Sequence, residues 1–259
     1  MTGWMADGVA AAHGRGLTSF PPSGGSETTA ALSPEALRKL LAWLSPAFPV
    51  GGYSYSHGLE WAIEDGSVTD ARTLAAWLAD ILRHGAGHND AILFLHAWHA
   101  ADAGDSERLR AIVELGAAFQ PSRERHLEST AQGRAFLTAV QAAYAADRLA
   151  GLTAGIPADE ALPYPIAVAL CAAAHDIPAT PALAAMLNSF VANVVSAGVR
   201  AIPIGQTDGL KVVAALGPVI DAIAATASAA SLADLGGAAL RADIASMRHE
   251  TQYTRLFRS

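Results

Sequence analysis

His84 and His88 stand four residues apart and His96 and His99 three apart, so each pair could share one face of a helix and offer two imidazoles to one metal ion. Gly85 and Gly87 interrupt the first pair, the second flanks Trp98 in an apolar stretch, and no third ligand follows at a fixed interval. We therefore read His96 and His99 as partly buried core histidines and assign no metal site. Cys171 and His175 are also four apart, the spacing of a thiol and an activating base. In so alanine-rich a stretch the better reading is a small buried thiol. Gly205-Gln206-Thr207-Asp208-Gly209-Leu210-Lys211 superficially resembles a phosphate loop, but the glycine spacing is wrong, Val212 replaces the hydroxyl that would hold magnesium, and no strand precedes it. It reads as an interhelix turn in which Thr207 or Asp208 caps the next helix. The carboxylate pairs Glu64-Asp65, Glu124/Glu128 and Asp159-Glu160 adjoin Arg, Gly or helix ends, which predicts solvated faces and caps. No catalytic residue and no cofactor are expected, and the chain is read as a non-enzyme.

Three features carry more than such bland readings. Pro46-Ala47-Phe48-Pro49-Val50-Gly51-Gly52-Tyr53-Ser54-Tyr55-Ser56-His57 is an apolar, proline-bracketed junction with a double glycine. Its glycines permit positive φ or close approach, and its tyrosines either anchor an interface or seal the helix junction. Arg200 ends a long, nearly uncharged helix, where it either caps the negative dipole end or offers a fork to a partner carboxylate. The run 248–259 places Tyr253, Leu256 and Phe257 among Arg248, Arg255 and Arg258. Such a terminus either docks on a partner or packs back on its own bundle.

The elements that must position these residues read as helices throughout. Ser33-Pro34-Glu35 supplies an N-cap, a proline at the first helical position and an early acid, followed by Leu37, Leu40, Leu41 and Leu44 at helical spacing. Further helices are expected at 57–64, 90–103, 106–118, 122–149, 163–174, 180–201, 207–216, 218–230 and 232–249, and one capped by Thr69 or Asp70 that Gly85 and Gly87 break. No stretch alternates as a strand would, and alanine favours helix. The fold class is all-α, a single-domain bundle of about ten helices spanning 31–249. Residues 1–30, rich in Gly, Ser, Thr and Ala, are read as a disordered tail, and 250–259 as a partner-docking tail.

Composition narrows the function classes. Hydrophobic residues make up 52% and charged residues 16%, enough for a sizeable core, and the net charge is −7. Nucleic acid binding needs a concentrated basic face and is not expected. The single cysteine forms no internal disulfide and suits a reducing cytosol. The start of the chain has no secretory pattern. The one membrane-like window, 182–197, is shorter than the roughly 20 residues that span a bilayer and reads as a buried core helix.

Two segments, from Leu41 through Gly51-Gly52-Tyr53-Ser54-Tyr55-Ser56-His57 to Glu60 and from Ser196 through Val199-Arg200-Ala201-Ile202-Pro203 to Gly209, closely resemble signatures of the urease accessory protein UreF family. Tyr253-Thr254-Arg255-Leu256-Phe257-Arg258 is a third match. The resemblance implies a cytoplasmic, non-catalytic, all-helical homodimer that binds the UreD/UreH scaffold. With it, the protein would recruit the UreG GTPase to apo-urease and modulate its GTP hydrolysis during nickel delivery. It implies a GTPase face containing Tyr53, Arg200 and Lys211, and a scaffold contact through Tyr253, Arg255, Leu256 and Phe257. Many relatives carry Phe-Ser-Tyr-Ser-Gln where this chain has Tyr53-Ser54-Tyr55-Ser56-His57, and His57 would add a group that titrates near neutral pH. Two rivals follow from the residues themselves. One is a nickel-carrying metallochaperone using its own histidines, and the other a small helical enzyme using histidines or Cys171.

Overall fold

The computed structural model describes residues 32–157 and 159–259, and among these it contains eleven α-helices and no strand. The expected disordered tail, 1–30, lies outside the described residues. The helices are α1 Pro34–Trp43, α2 Leu59–Glu64, α3 Ala71–His84, α4 Ala86–Asp102, α5 Ser106–Ala118, α6 Arg123–Ala143, α7 Asp147–Thr153, α8 Tyr164–Ala174, α9 Ala179–Ala201, α10 Gln206–Ala227 and α11 Leu240–His249. Several start where local chemistry dictates. Ser33 caps α1 through Ala36 N–H, and Pro34 occupies a first-turn position. Asp70 caps α3 in a reciprocal box with Thr73. Gly85 breaks the chain between α3 and α4, but Gly87 lies inside α4.

The core is built around α8. Every residue from Ile166 to Ala173 is fully buried, as a helix apolar on all sides must be. α4, α6, α7 and α9 pack on it, and α5, α3 and α10 cover α4 in turn. Trp43 closes the α1 side, its ring edge-to-face with Phe136 and Tyr144, while Phe48 of the proline-bracketed junction meets Phe136 at 5.3 Å.

α4 begins at Ala86 rather than at Asp90, and four further boundaries differ from the sequence expectation. α6 stops at Tyr144, whose backbone leaves the helical region (φ −133, ψ 51), so 122–149 is two helices. Residues 206–227 form one helix with Pro218 inside it, not two. The last helix begins at Leu240, after the Gly236-Gly237 pair, with only a 3₁₀ turn at Leu232–Asp234. Gly205, not Thr207 or Asp208, occupies the cap position of α10. The merged α10 and the 23-residue α9 are each long and apolar enough to cross a membrane by length and composition, which corrects the short window read for 182–197. Half of the apolar window of α9 is buried inside the bundle.

Candidate functional site

The junction between α1 and α2 folds tightly because it crosses the left-handed region three times, at Gly51 (φ 73), His57 (φ 57) and Gly58 (φ 74). Gly58 is doubly required. A Cβ there would approach the Ser246 nitrogen to 2.9 Å, so the bare backbone lets α11 settle on the start of α2. Between these points a 3₁₀ turn, Gly52–Ser54, lifts Tyr53 outward and turns Tyr55 inward. The two tyrosines thus divide the two readings: Tyr55 seals the junction, while Tyr53 is 69% exposed.

α9 delivers Arg200 to Tyr53. The Arg200 Nε donates to the Ser196 carbonyl (3.1 Å) and one terminal nitrogen donates to the Tyr53 carbonyl (3.0 Å). The guanidinium lies 3.7 Å from the Tyr53 ring centroid and 4.6 Å from that of Phe257. Cation–π attraction at exposed sites is worth about 0.5–1 kcal/mol. Arg200 therefore closes its own helix and remains exposed. Beside the stack lies a cleft of about 80 Å³ lined in part by Phe48, Val50, Tyr53, Asn193 and Arg200. Lys211 stands on the first turns of α10, exposed and paired with Asp208 at 2.9 Å. Its helix meets α9 where Gly209 faces Val199, one residue from Arg200.

Segment 250–259 lies against the bundle. Both oxygens of the Glu60 carboxylate accept backbone N–H groups of the tail, Leu256 at 2.7 Å and Phe257 at 3.0 Å. Arg258 N–H donates to the Ser54 carbonyl (2.8 Å), and Ser56 N–H to the main-chain oxygen of Ser259 (2.7 Å). Ser56 and Ser259 hydroxyls add contacts to Ser259 and Glu128. Arg255 pairs with Glu124 at 2.7 Å. Phe257 is buried, whereas Tyr253 is fully exposed and Leu256 is 75% exposed. The sequence placed Tyr53 and Arg200 on one face and the tail on another. In the fold, Phe257 and Arg258 meet the Tyr53–Arg200 stack, and the two sets form one surface.

Three ionisable residues depart from expectation. Glu128 was expected on a solvated face but is buried, ion-paired to the equally buried Arg125, with Gln132 donating to it at 3.3 Å. Glu124 is engaged by Arg255 and His249 rather than by water. His57 is buried, and burial with Arg125 nearby pushes its pKa well below the usual histidine value, so it is a neutral ring and not a switch near pH 7. Spacing within α6 accounts for the Arg125–Glu128 and Gln132–Glu128 contacts, but not for their burial, and the partners of Glu124 come from α11 and the tail, over 120 positions away.

His57, Asp90 and Arg125 line two adjoining cavities of about 160 and 50 Å³. His57 Nδ1 and Arg125 Nε are buried there with no hydrogen-bond partner among the described residues, His57 Nδ1 lying 4.0 Å from the Glu128 carboxylate. Both cavities are roomy and polar enough for ordered water. Burial raises Asp90 to about 7, against a smaller opposing pull from Arg125. The fold thus holds a proton that the unfolded chain, near 3.8, has released. That contribution is full below about pH 3.8, fades as pH rises and is gone above about 7. Urea midpoints should show the wild type losing about 2 kcal/mol between pH 5 and pH 8 that Asp90→Asn does not lose.

The histidine pairs do not converge. His88 Nε2 meets the Asp234 carbonyl (3.1 Å), and His96, buried, lies between the Ala230 carbonyl and Arg108. His99 stacks edge-on against Trp98. Cys171 is fully buried, which pushes its thiol up, while His175 faces Lys39 and the edge of Trp43. Among the described residues no three His, Cys, Asp or Glu side chains are arranged to hold a metal ion.

Comparison with known proteins agrees with the motifs. The UreF family model matches residues 68–217. The chain is 52% identical over 244 residues to a urease accessory protein UreF of Rhodopseudomonas palustris (strain BisB18), covering 90% of this chain and 98% of that one. It is 53% identical over 224 residues to one of Bradyrhizobium sp. (strain BTAi1), covering 86% and 92%. A Methylobacterium sp. (strain 4-46) relative of the same name is 52% identical over 220 residues, covering 85% and 87%. With the helical bundle and the Tyr53 and Arg200 motifs both in place, the chain belongs to the UreF family.

Proposed function

We propose that this protein is a cytoplasmic, homodimeric adaptor of urease maturation, without catalysis or a bound cofactor of its own. It joins the UreD/UreH scaffold and recruits the UreG GTPase to apo-urease. Membership of a family of urease accessory proteins supports the coarse role. The observation that carries the finer reading is the exposed Tyr53–Arg200 stack, built on the folded tail. Aromatic and arginine side chains on a rigid support are the residue types that dominate interface energies. Tyr253 and Leu256 add exposed apolar area beside them, and Arg258 adds positive charge. On a chain of net charge −7 this is a local basic surface, suited to an acidic partner. The adaptor biases the GTPase only by binding one nucleotide or metal state more tightly than another. Neither nucleic acid nor a membrane is a partner in this reading: half of the apolar window of α9 and 39% of that of α10 is buried in the bundle, where the two helices pack on each other.

Light scattering on a sizing column tests the reading, first with the protein alone and then with its scaffold and GTP-loaded, nickel-loaded UreG. The expected result is a dimer that shifts into a stoichiometric complex with both. Deleting residues 251–259 should weaken scaffold binding tenfold or more. An undiminished scaffold complex after that deletion removes the tail's role. Tight nickel binding by the isolated dimer would favour the carrier reading instead.

A further inference from the structure

We propose that His249, as a doubly protonated imidazolium, latches the tail closed, and that partners read the tail in this closed form. The second half rests on the docking reading above. His249 is fully buried at the end of α11. Its Nε2 lies 3.1 Å from an oxygen of Glu60 on α2, and its Nδ1 lies 2.6 Å from an oxygen of Glu124 on α6. Both carboxylates are committed as acceptors. Glu60 receives the Leu256 and Phe257 N–H groups, and Glu124 receives Arg255. An ionised carboxylate only accepts, and a neutral imidazole donates from one nitrogen alone. A neutral ring would therefore turn a lone pair toward one carboxylate in a site shut off from water. The imidazolium satisfies both, and with Arg255 it balances the two negative charges.

The two carboxylates that His249 joins are the two that grip the tail. Glu60 holds its backbone and Glu124 holds its arginine. Removing the imidazolium leaves two buried anions facing each other with Arg255 alone to offset them, so the grip on 255–258 weakens. Glu250 does not compete for the ring, because its carboxylate accepts from the Arg123 and Glu124 N–H groups at the start of α6. The closed tail has two sides. Phe257 faces inward, under Arg200, while Tyr253 and Leu256 face outward. A partner can read the outer side without unseating Phe257, and an opened tail would withdraw one of the two rings that flank Arg200.

The test begins with the wild-type protein. Nitrogen-15 imidazole spectra at neutral pH should show both His249 nitrogens protonated. In His249→Gln, exchange of the Leu256, Phe257 and Arg258 amides should accelerate at least tenfold, with α4 and α8 amides unchanged. Scaffold binding should weaken to a similar degree. A single-tautomer imidazole, or tail amides as protected in His249→Gln as in wild type, overturns the latch. An open tail with undiminished binding overturns the closed-tail requirement. Deleting residues 251–259 in the same scaffold assay then separates the two ideas: if the deletion weakens binding while an opened tail in His249→Gln does not, the docking reading stands and only the latch's relevance to partners falls.

Discussion

Arg200→Ala is expected to weaken recruitment of the GTPase at least 30-fold while leaving the fold and scaffold binding intact. The side chain is exposed, and its described contacts are with the Ser196 and Tyr53 carbonyls and the rings of Tyr53 and Phe257. Losing them should cost at most about 1 kcal/mol of stability. An arginine anchor at the centre of an interface commonly carries about 2 kcal/mol or more of binding. The measurement is a titration of scaffold-bound adaptor with UreG, beside a thermal melt of the free variant. Tyr53→Ala should fall in the same direction, because it removes the ring that holds the guanidinium in place. Equal GTPase affinity in wild type and both variants would take this assignment away.

The largest effect on folding is expected at Gly133. A Cβ there would stand 2.0 Å from the Leu162 carbonyl oxygen and 2.9 Å from backbone atoms of Pro163 and Tyr164. All three are backbone, so no side chain can swing aside, and α6 must part from the entry to α8. Since α8 is the centre of the core, Gly133→Ala should destabilise the protein by about 3 kcal/mol or more, lowering the melting temperature by roughly 10 °C or leaving no folded product. Gly151→Ala is the contrasting control. It lies in α7 with nothing within 4 Å of a new Cβ, so the substitution should be neutral or gain up to about 1 kcal/mol. Urea denaturation of the pair gives the comparison directly.

Local chemistry announced much of this fold. Ser33, Asp70 and Gly85 end or start helices for reasons visible within four residues. Pro218 misled because a proline inside a helix is normally costly, by about 3 kcal/mol. Here Val212, Leu216, Val219, Ile220 and Ile223 bury one continuous apolar face on both sides of it, while Pro218 itself is exposed. Tertiary packing overrides the local penalty. Tyr144 misled in the opposite way, since nothing in an alanine-rich run marks the point where a backbone turns. The candidate site was legible only in pieces. Family motifs pointed to Tyr53 and Arg200, and the tail was conspicuous by composition. That Phe257 lies under Arg200, or that Glu60 and Glu124 close on His249, depends on contacts across 57 to 189 positions. No periodicity carries that information. One clue was available in Glu60, an acid set between Leu59 and Trp61 in a short apolar helix, where a carboxylate is poorly placed unless something answers it.

The Arg200 stack has a further consequence for association. A free surface arginine samples many rotamers, and fixing it on binding costs about 0.5–1.5 kcal/mol of conformational entropy. Here that freedom is already surrendered on folding, because two carbonyls and two rings hold the guanidinium before any partner arrives. A partner that docks on this face would then meet a ready shape rather than a search.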